Sequence, residues 1–178
     1  MNLATPLRAF ALFLVSAVVL TAANRPNILW IVSEDNSPDY IGCYGDPHGM
    51  TPTIDRLARD GVLYEKAYSN AAVCGPARTT LILGMYPPSV GGEHMRSQAP
   101  LPSHIQIYPQ YLSDAGYYTT NNSKKDYNID QNTPGWAESS NKAHWKNRPD
   151  GKPFFAIFNT NITHESALHP KKYDGKFG

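Results

Sequence analysis

Cysteine is scarce in this 178-residue chain, which has only Cys43 and Cys74. Two thiols cannot staple a coreless mini-protein with several bridges, nor fill a four-thiolate zinc site. Charge of one sign is lacking too: 16 Lys and Arg against 15 Asp and Glu leave a formal net charge of +1. That balance gives no sign of a nucleic-acid surface, which needs a basic face. The chain has neither a G-x-S-x-G elbow nor a phosphate loop of the G-x-x-x-x-G-K-S/T kind, which argues against an α/β-hydrolase serine and a P-loop nucleotide cradle. His164-Glu165 followed by His169 is one residue too long for the zinc-protease pattern H-E-x-x-H. Its imidazoles would diverge around a helix that Pro170 hinders. Internal repeats and low-complexity tracts are absent as well.

One apolar run stands out. Arg8 precedes Ala9 to Leu20, and small residues follow at Thr21, Ala22 and Ala23. This is the layout of a secretory signal peptide over residues 1–23, and the run is short for a bilayer span. The protein is therefore expected to be exported, periplasmic or secreted, with no stable membrane association after cleavage. Residues 24–178 suffice for one domain with a moderate core. In an exported chain a Cys43–Cys74 disulfide is the ordinary reading, but it accounts for neither Pro76 nor Arg78. Cys43 reads instead as a small buried apolar residue.

Strand and helix signals alternate. Asn27–Val32 is a short apolar, β-branched run, as in a strand buried on both faces. Ile54, Leu57 and Ala58 fall at helical spacing after Pro52, with Thr51 as a candidate N-cap and Gly61 as a stop. Val62–Tyr68 alternates loosely, as a strand would. Tyr108, Tyr111, Leu112 and Ala115 mark a second amphipathic helix, with Pro109 in its first turn and Gly116 at its end. Tyr117 to Asn121 and Pro153 to Asn159 read as further strands, and residues 124–152 as a long polar surface loop. The order implies an α/β fold with a mainly parallel sheet flanked by helices, in which ligands gather beyond the strands' carboxyl ends.

The most informative stretch is Cys74-Gly75-Pro76-Ala77-Arg78, followed by Thr79-Thr80-Leu81-Ile82-Leu83-Gly84. Proline is tolerated in a first helical turn and Gly84 is placed to end the segment, so Cys74 is expected at the positive end of a short helix, where an anion is favoured. The spacing C-x-P-x-R resembles the signature of the sulfatase family. Further blocks follow in the family's order: Arg25-Pro26-Asn27-Ile28-Leu29-Trp30-Ile31-Val32 ahead of Glu34-Asp35, then Thr51-Pro52-Thr53-Ile54-Asp55-Arg56-Leu57, then Gly116-Tyr117-Tyr118-Thr119-Thr120.

The resemblance carries expectations. It implies an alkaline-phosphatase-like sulfatase fold, here its N-terminal portion, because sulfatases run to several hundred residues with further metal ligands in the second half of the catalytic domain. Residues 24–178 are thus expected to be incomplete at the C-terminus and, alone, inactive. It assigns Cys74 to conversion into formylglycine (3-oxoalanine), with Pro76 and Arg78 completing the signal read by a formylglycine-generating or anaerobic sulfatase-maturating enzyme. It assigns Arg78, Lys124 and His164 to catalysis beside Cys74. It gives Glu34, Asp35 and Cys74 to Ca²⁺, with Mg²⁺ as the alternative ion; hard carboxylate oxygens suit both. Glu34 departs from the family's usual aspartate, and Asp126 stands where the family has a histidine after its lysine, so that Lys125 or Tyr127 is an alternative helper. An imidazole such as His164 suits proton transfer near neutral pH.

His94 and Arg96 are candidate substrate contacts at the entrance. Trp136, His144, Trp145 and Arg148 are candidates for a sugar platform, although loop aromatics more often pack down on the domain. The sequence looks most like the bacterial heparan N-sulfatase-like branch, which implies a sulfated polysaccharide substrate and hydrolysis of sulfate esters or sulfamates to inorganic sulfate. Two rivals remain: a phosphonate monoester or phosphodiester hydrolase of the same superfamily, and an inactive fragment that only binds sulfated glycans. The sequons at Asn121 and Asn161 flank the expected rim, where a glycan would obstruct access, and are read as chance.

Overall fold

The computed structural model describes residues 25–169; the predicted signal peptide lies outside them. Four strands, β1 (Ile28–Ser33), β2 (Tyr118–Asn122), β3 (Glu138–Ser139) and β4 (Phe154–Thr160), form one sheet in the order β1-β4-β2-β3. Every pairing is parallel, with Trp30 opposite Ile157, Tyr118 opposite Phe154 and Thr120 opposite Glu138. Three α-helices, α1 (Pro52–Asp60), α2 (Cys74–Leu83) and α3 (Tyr108–Asp114), lie between β1 and β2. The α/β class with a parallel sheet is borne out.

Side chains of one parity along β4 face the core. Phe155 and Ile157 pack with Tyr117, Trp30 and Val32 beneath Tyr108 and Leu112 of α3. Trp136 stacks on Phe155 at 6.0 Å and Tyr108 meets it edge-on at 5.4 Å. A second cluster, Ile82, Ile107, Tyr127 and Ile129, secures α2. On the opposite face of the sheet, Trp145 stacks on Phe154 at 5.3 Å and His144 meets Phe158 edge-on at 5.2 Å.

Local chemistry explains the helix limits. Gly84 ends α2 at φ 66°, and its N–H donates to Thr80 O at 2.8 Å, a left-handed cap that costs glycine little. Thr51 precedes α1, but its side chain does not cap it. The hydroxyl donates to Asp55 Oδ1 and accepts from Gly42 N–H, tying α1 to the 3₁₀ turn at Gly42–Tyr44.

Four expectations are corrected. Among the described residues β1 is an edge strand, not one buried on both faces: Leu29 and Ile31 are 52% and 65% exposed. Residues 62–68 form no strand, because no neighbouring strand offers them a ladder, so Cys74 follows an irregular, exposed loop. The 124–152 stretch is not a mere surface loop, since Tyr127, Asn128, Ile129 and Ala143 are buried. Cys43 is half-buried, with its N–H on Asp55 Oδ1, and both cysteines are free thiols.

Candidate active site

The carboxyl ends of the strands deliver the expected residues to one side of the sheet. Glu34 N–H donates to Thr160 O, continuing β1 past its end. Cys74, the first residue of ten-residue α2, is half-buried and lines a cleft of about 400 Å³ with Glu34, Asp35, Asn36, Ala72 and Arg78. Unpaired N–H groups of a helix's first turn and its dipole favour an anion at this position. Gly75 is required for packing: a Cβ there would lie 2.8 Å from Asn128 Cγ.

Behind Cys74 the charges interlock. Glu34, 6% exposed, places Oε1 3.4 Å from Arg78 Nη1 and Oε2 2.6 Å from Lys124 Nζ. Arg78 is buried as well. Its Nε donates to Lys125 O at 3.0 Å, and its Nη2 donates to Lys124 O at 2.7 Å and to Asn159 Oδ1 at 3.0 Å. The guanidinium sits 5.3 Å from the Tyr127 ring centroid, and burial pushes the Tyr127 hydroxyl up to about 12. Arg78 thus spends most of its donors on the protein, holding the segment that carries Lys124 against the cleft that it lines.

His164 lines a neighbouring cleft of about 390 Å³ with Ser123, Lys124, Asn161 and Ser166. Its Nδ1 accepts from Ser166 N–H at 3.1 Å and lies 2.8 Å from Ser166 Oγ. An accepting Nδ1 leaves the proton of a neutral imidazole on Nε2. Asp35 Oδ2 accepts from Glu165 N–H at 2.8 Å, docking the end of β1 on the His164 turn. Lys124 belongs to both clefts, lining one and pairing with Glu34 of the other.

The remaining candidates sit elsewhere. His94 and Arg96 are exposed and line neither cleft, although Asn128 fixes their backbone: its Nδ2 donates to His94 O and its Oδ1 accepts from Arg96 N–H. Asp126 is 3.9 Å from Lys124, while the Lys125 ammonium turns to Gln131 O. Trp145 is taken up by Phe154 and by Arg148, whose guanidinium lies 5.3 Å from its centroid, so it packs down on the sheet. Glu165–Leu168 is a 3₁₀ turn, not a zinc-binding helix. Asn121 is fully buried and offers no sequon to a glycan.

The expected metal ligands line one cleft, and three of the four oxygens of Glu34 and Asp35 are engaged. Both Glu34 oxygens face cations and Asp35 Oδ2 holds an amide. Among the described residues no three His, Cys, Asp or Glu side chains are grouped to hold a metal ion. Ca²⁺ takes six to eight oxygens, more than Glu34 and Asp35 alone supply.

The sulfatase family profile matches residues 26–150. The chain belongs to the sulfatase family. An ulvan-active sulfatase of Formosa agariphila is 44% identical over 164 residues, covering 85% of this chain and 27% of the relative. Mouse iduronate 2-sulfatase is 32% identical over 134 residues, covering 68% and 24%. A structure solved with its substrate D-glucosamine-2-N,6-O-disulfate superposes with TM-score 0.70 at 21% identity, over 86% of this chain and 38% of that one, and shows the shared fold. The chain spans about a quarter of the length of these curated relatives.

Sequence reasoning missed Asn121, which is buried, and half-buried Asn159, the two amides that hold the site together. A signal was available: both share the inward parity of Ile157 and Thr119, where an apolar strand should not place an amide without a partner.

Proposed function

We propose that this chain carries the nucleophile-bearing part of a sulfuric ester hydrolase that releases inorganic sulfate from sulfate esters or sulfamates of a sulfated polysaccharide. The observation that carries this reading is Cys74 at the N-terminus of α2, in a cleft backed by Arg78 and Lys124. A sulfate ester bears its charge on nonbridging oxygens, so its cleavage needs positive surroundings, a strong nucleophile and a proton for the leaving oxygen. The helix N-terminus and Lys124 supply the first, and the Nε2–H of His164 suits the last.

Formylglycine formed from Cys74 supplies, when present, a hydrated aldehyde as the nucleophile. Cys74 fits that modification: its thiol is free, half-buried at the cleft, and followed by Pro76 and Arg78. Ca²⁺ takes more oxygens than Glu34 and Asp35 alone supply, and no step here depends on it. The substrate class is supported by relatives named as ulvan-active sulfatase, iduronate 2-sulfatase and N-acetylgalactosamine-6-sulfatase. An export route to such a substrate is the reading of residues 1–23.

The phosphodiester rival shares the fold, since an Agrobacterium radiobacter phosphonate monoester hydrolase superposes with TM-score 0.51 at 24% identity over 84% of this chain. Parallel hydrolysis of a chromogenic aryl sulfate and the matching phosphodiester, using protein matured at Cys74 with Cys74→Ala as blank, separates the readings. Sulfate release lost in the blank supports ours. Phosphodiester turnover alone supports the rival and contradicts ours; absence of both accords with residues 24–178 being inactive alone, and competitive binding of the two compounds to the matured protein then separates the readings.

A further inference from the structure

We propose that Asn159 is a positioning residue that joins the Cys74 helix, through Arg78, to the segment carrying Lys124. Its side chain sits where three elements meet. Oδ1 accepts from Arg78 Nη2 at 3.0 Å, while Nδ2 donates to Asn121 Oδ1 at 3.1 Å and to Asn122 O at 3.0 Å. Asn121, 0% exposed, passes the link on: its Nδ2 donates to Ser139 Oγ at 3.1 Å and to Lys124 O at 3.3 Å, the carbonyl that also takes Arg78 Nη2. Strands β4, β2 and β3 are thereby tied at their carboxyl ends to a residue one helical turn beyond Cys74.

Only an amide of this length does both jobs. Aspartate keeps the acceptor for Arg78 but cannot donate to the Asn122 carbonyl, and leucine leaves both sides unpaired. Glu34 alone does not fix Arg78, because its contact is the longest that the guanidinium makes, at 3.4 Å. The part-buried Asn159 bond, made to a charged donor, is of the stronger class. That this geometry serves anion binding rests on the sulfatase reading above; that Asn159 orders Arg78 does not.

The test uses the whole chain, labelled with ¹⁵N, and two readouts. The first is hydrogen exchange at Arg78 Nε–H, its signal assigned by loss in Arg78→Lys. The second is titration with inorganic sulfate. Asn159→Leu and the smaller Asn159→Ser are expected to speed Arg78 exchange about tenfold or more and to weaken sulfate binding similarly, whereas Asn159→Asp retains the slow exchange. Unchanged exchange in a folded Leu or Ser variant overturns the proposal, as does lost protection in a folded Asp variant. Sulfate binding that is undiminished in Asn159→Ser overturns the coupling to Lys124. If the wild type binds no sulfate while the exchange pattern holds, the reading of this cleft as an anion site fails and the ordering role of Asn159 stands.

Discussion

Replacing Glu34 with Gln tests whether the site is organised by buried charge. The carboxylate is 6% exposed and lies between Arg78 and Lys124, whose side chains are 7% and 14% exposed. Breaking a buried ion pair by removing one partner costs about 3–5 kcal/mol, because the other charge is left without compensation. Two circumstances favour the lower end. Lys124 retains Asp126 at 3.9 Å, and Arg78 keeps the Lys124 and Lys125 carbonyls and Asn159. The expected loss is therefore about 3 kcal/mol, read as a lower urea midpoint at unchanged slope. Adding Lys124→Met to Glu34→Gln removes the orphaned cation, so the double variant should recover about 1 kcal/mol or more relative to additivity. A loss below about 0.5 kcal/mol, as for an exposed pair, or strict additivity would refute the interlocked arrangement.

Three further outcomes follow from packing and protonation. Gly75→Ala should cost about 1–3 kcal/mol, because the new methyl meets the Asn128 side chain and overpacking strains a filled site; a Tm equal to wild type contradicts this. The Glu138 carboxyl is held below its ordinary range, chiefly by the Asn147 side chain and also by His144 N–H and the Tyr118 hydroxyl. A lowered folded-state value contributes stability above the unfolded value, lost as pH falls through the folded one. Glu138→Gln should therefore flatten the decline of Tm below about pH 4.5; parallel Tm–pH curves for the two proteins contradict it. Burial lifts Tyr127 to about 12, so its contribution is complete below about pH 10 and lost as pH rises through 12. Tyr127→Phe should lessen the alkaline fall in stability across that interval, and an unaltered fall would exclude the assignment.

Elements whose local chemistry and tertiary setting agree were legible in the sequence. Pro52, Pro109, Gly84 and the Phe154–Phe158 run each point to the element that forms, and C-x-P-x-R points to α2 with Cys74 at its head. The strand at Val62–Tyr68 failed because alternation describes a surface, not the partner needed to complete a ladder. β1 misled for the related reason that an apolar run does not say whether a neighbour lies on one side or two. Within the site, Glu34, Lys124, His164 and Cys74 were legible as chemistry. Their linkage was not, because hydrogen bonds spanning 81 residues, as between Arg78 and Asn159, leave no mark on local pattern. His94 and Arg96 were selected by proximity in sequence to α2; they line neither cleft, and Asn128 holds their backbone through Gly92 O and His94 O.

Whether Cys74 carries the nucleophile is read from the intact mass of the peptide containing it. After co-expression with a maturation enzyme, oxidation of the thiol to an aldehyde exchanges sulfur for oxygen with loss of two hydrogens, lowering the mass by about 18 Da. That shift is expected in wild type and not in Arg78→Ala. A thiol of unchanged mass in the co-expressed wild-type protein would rule out a nucleophile formed from Cys74.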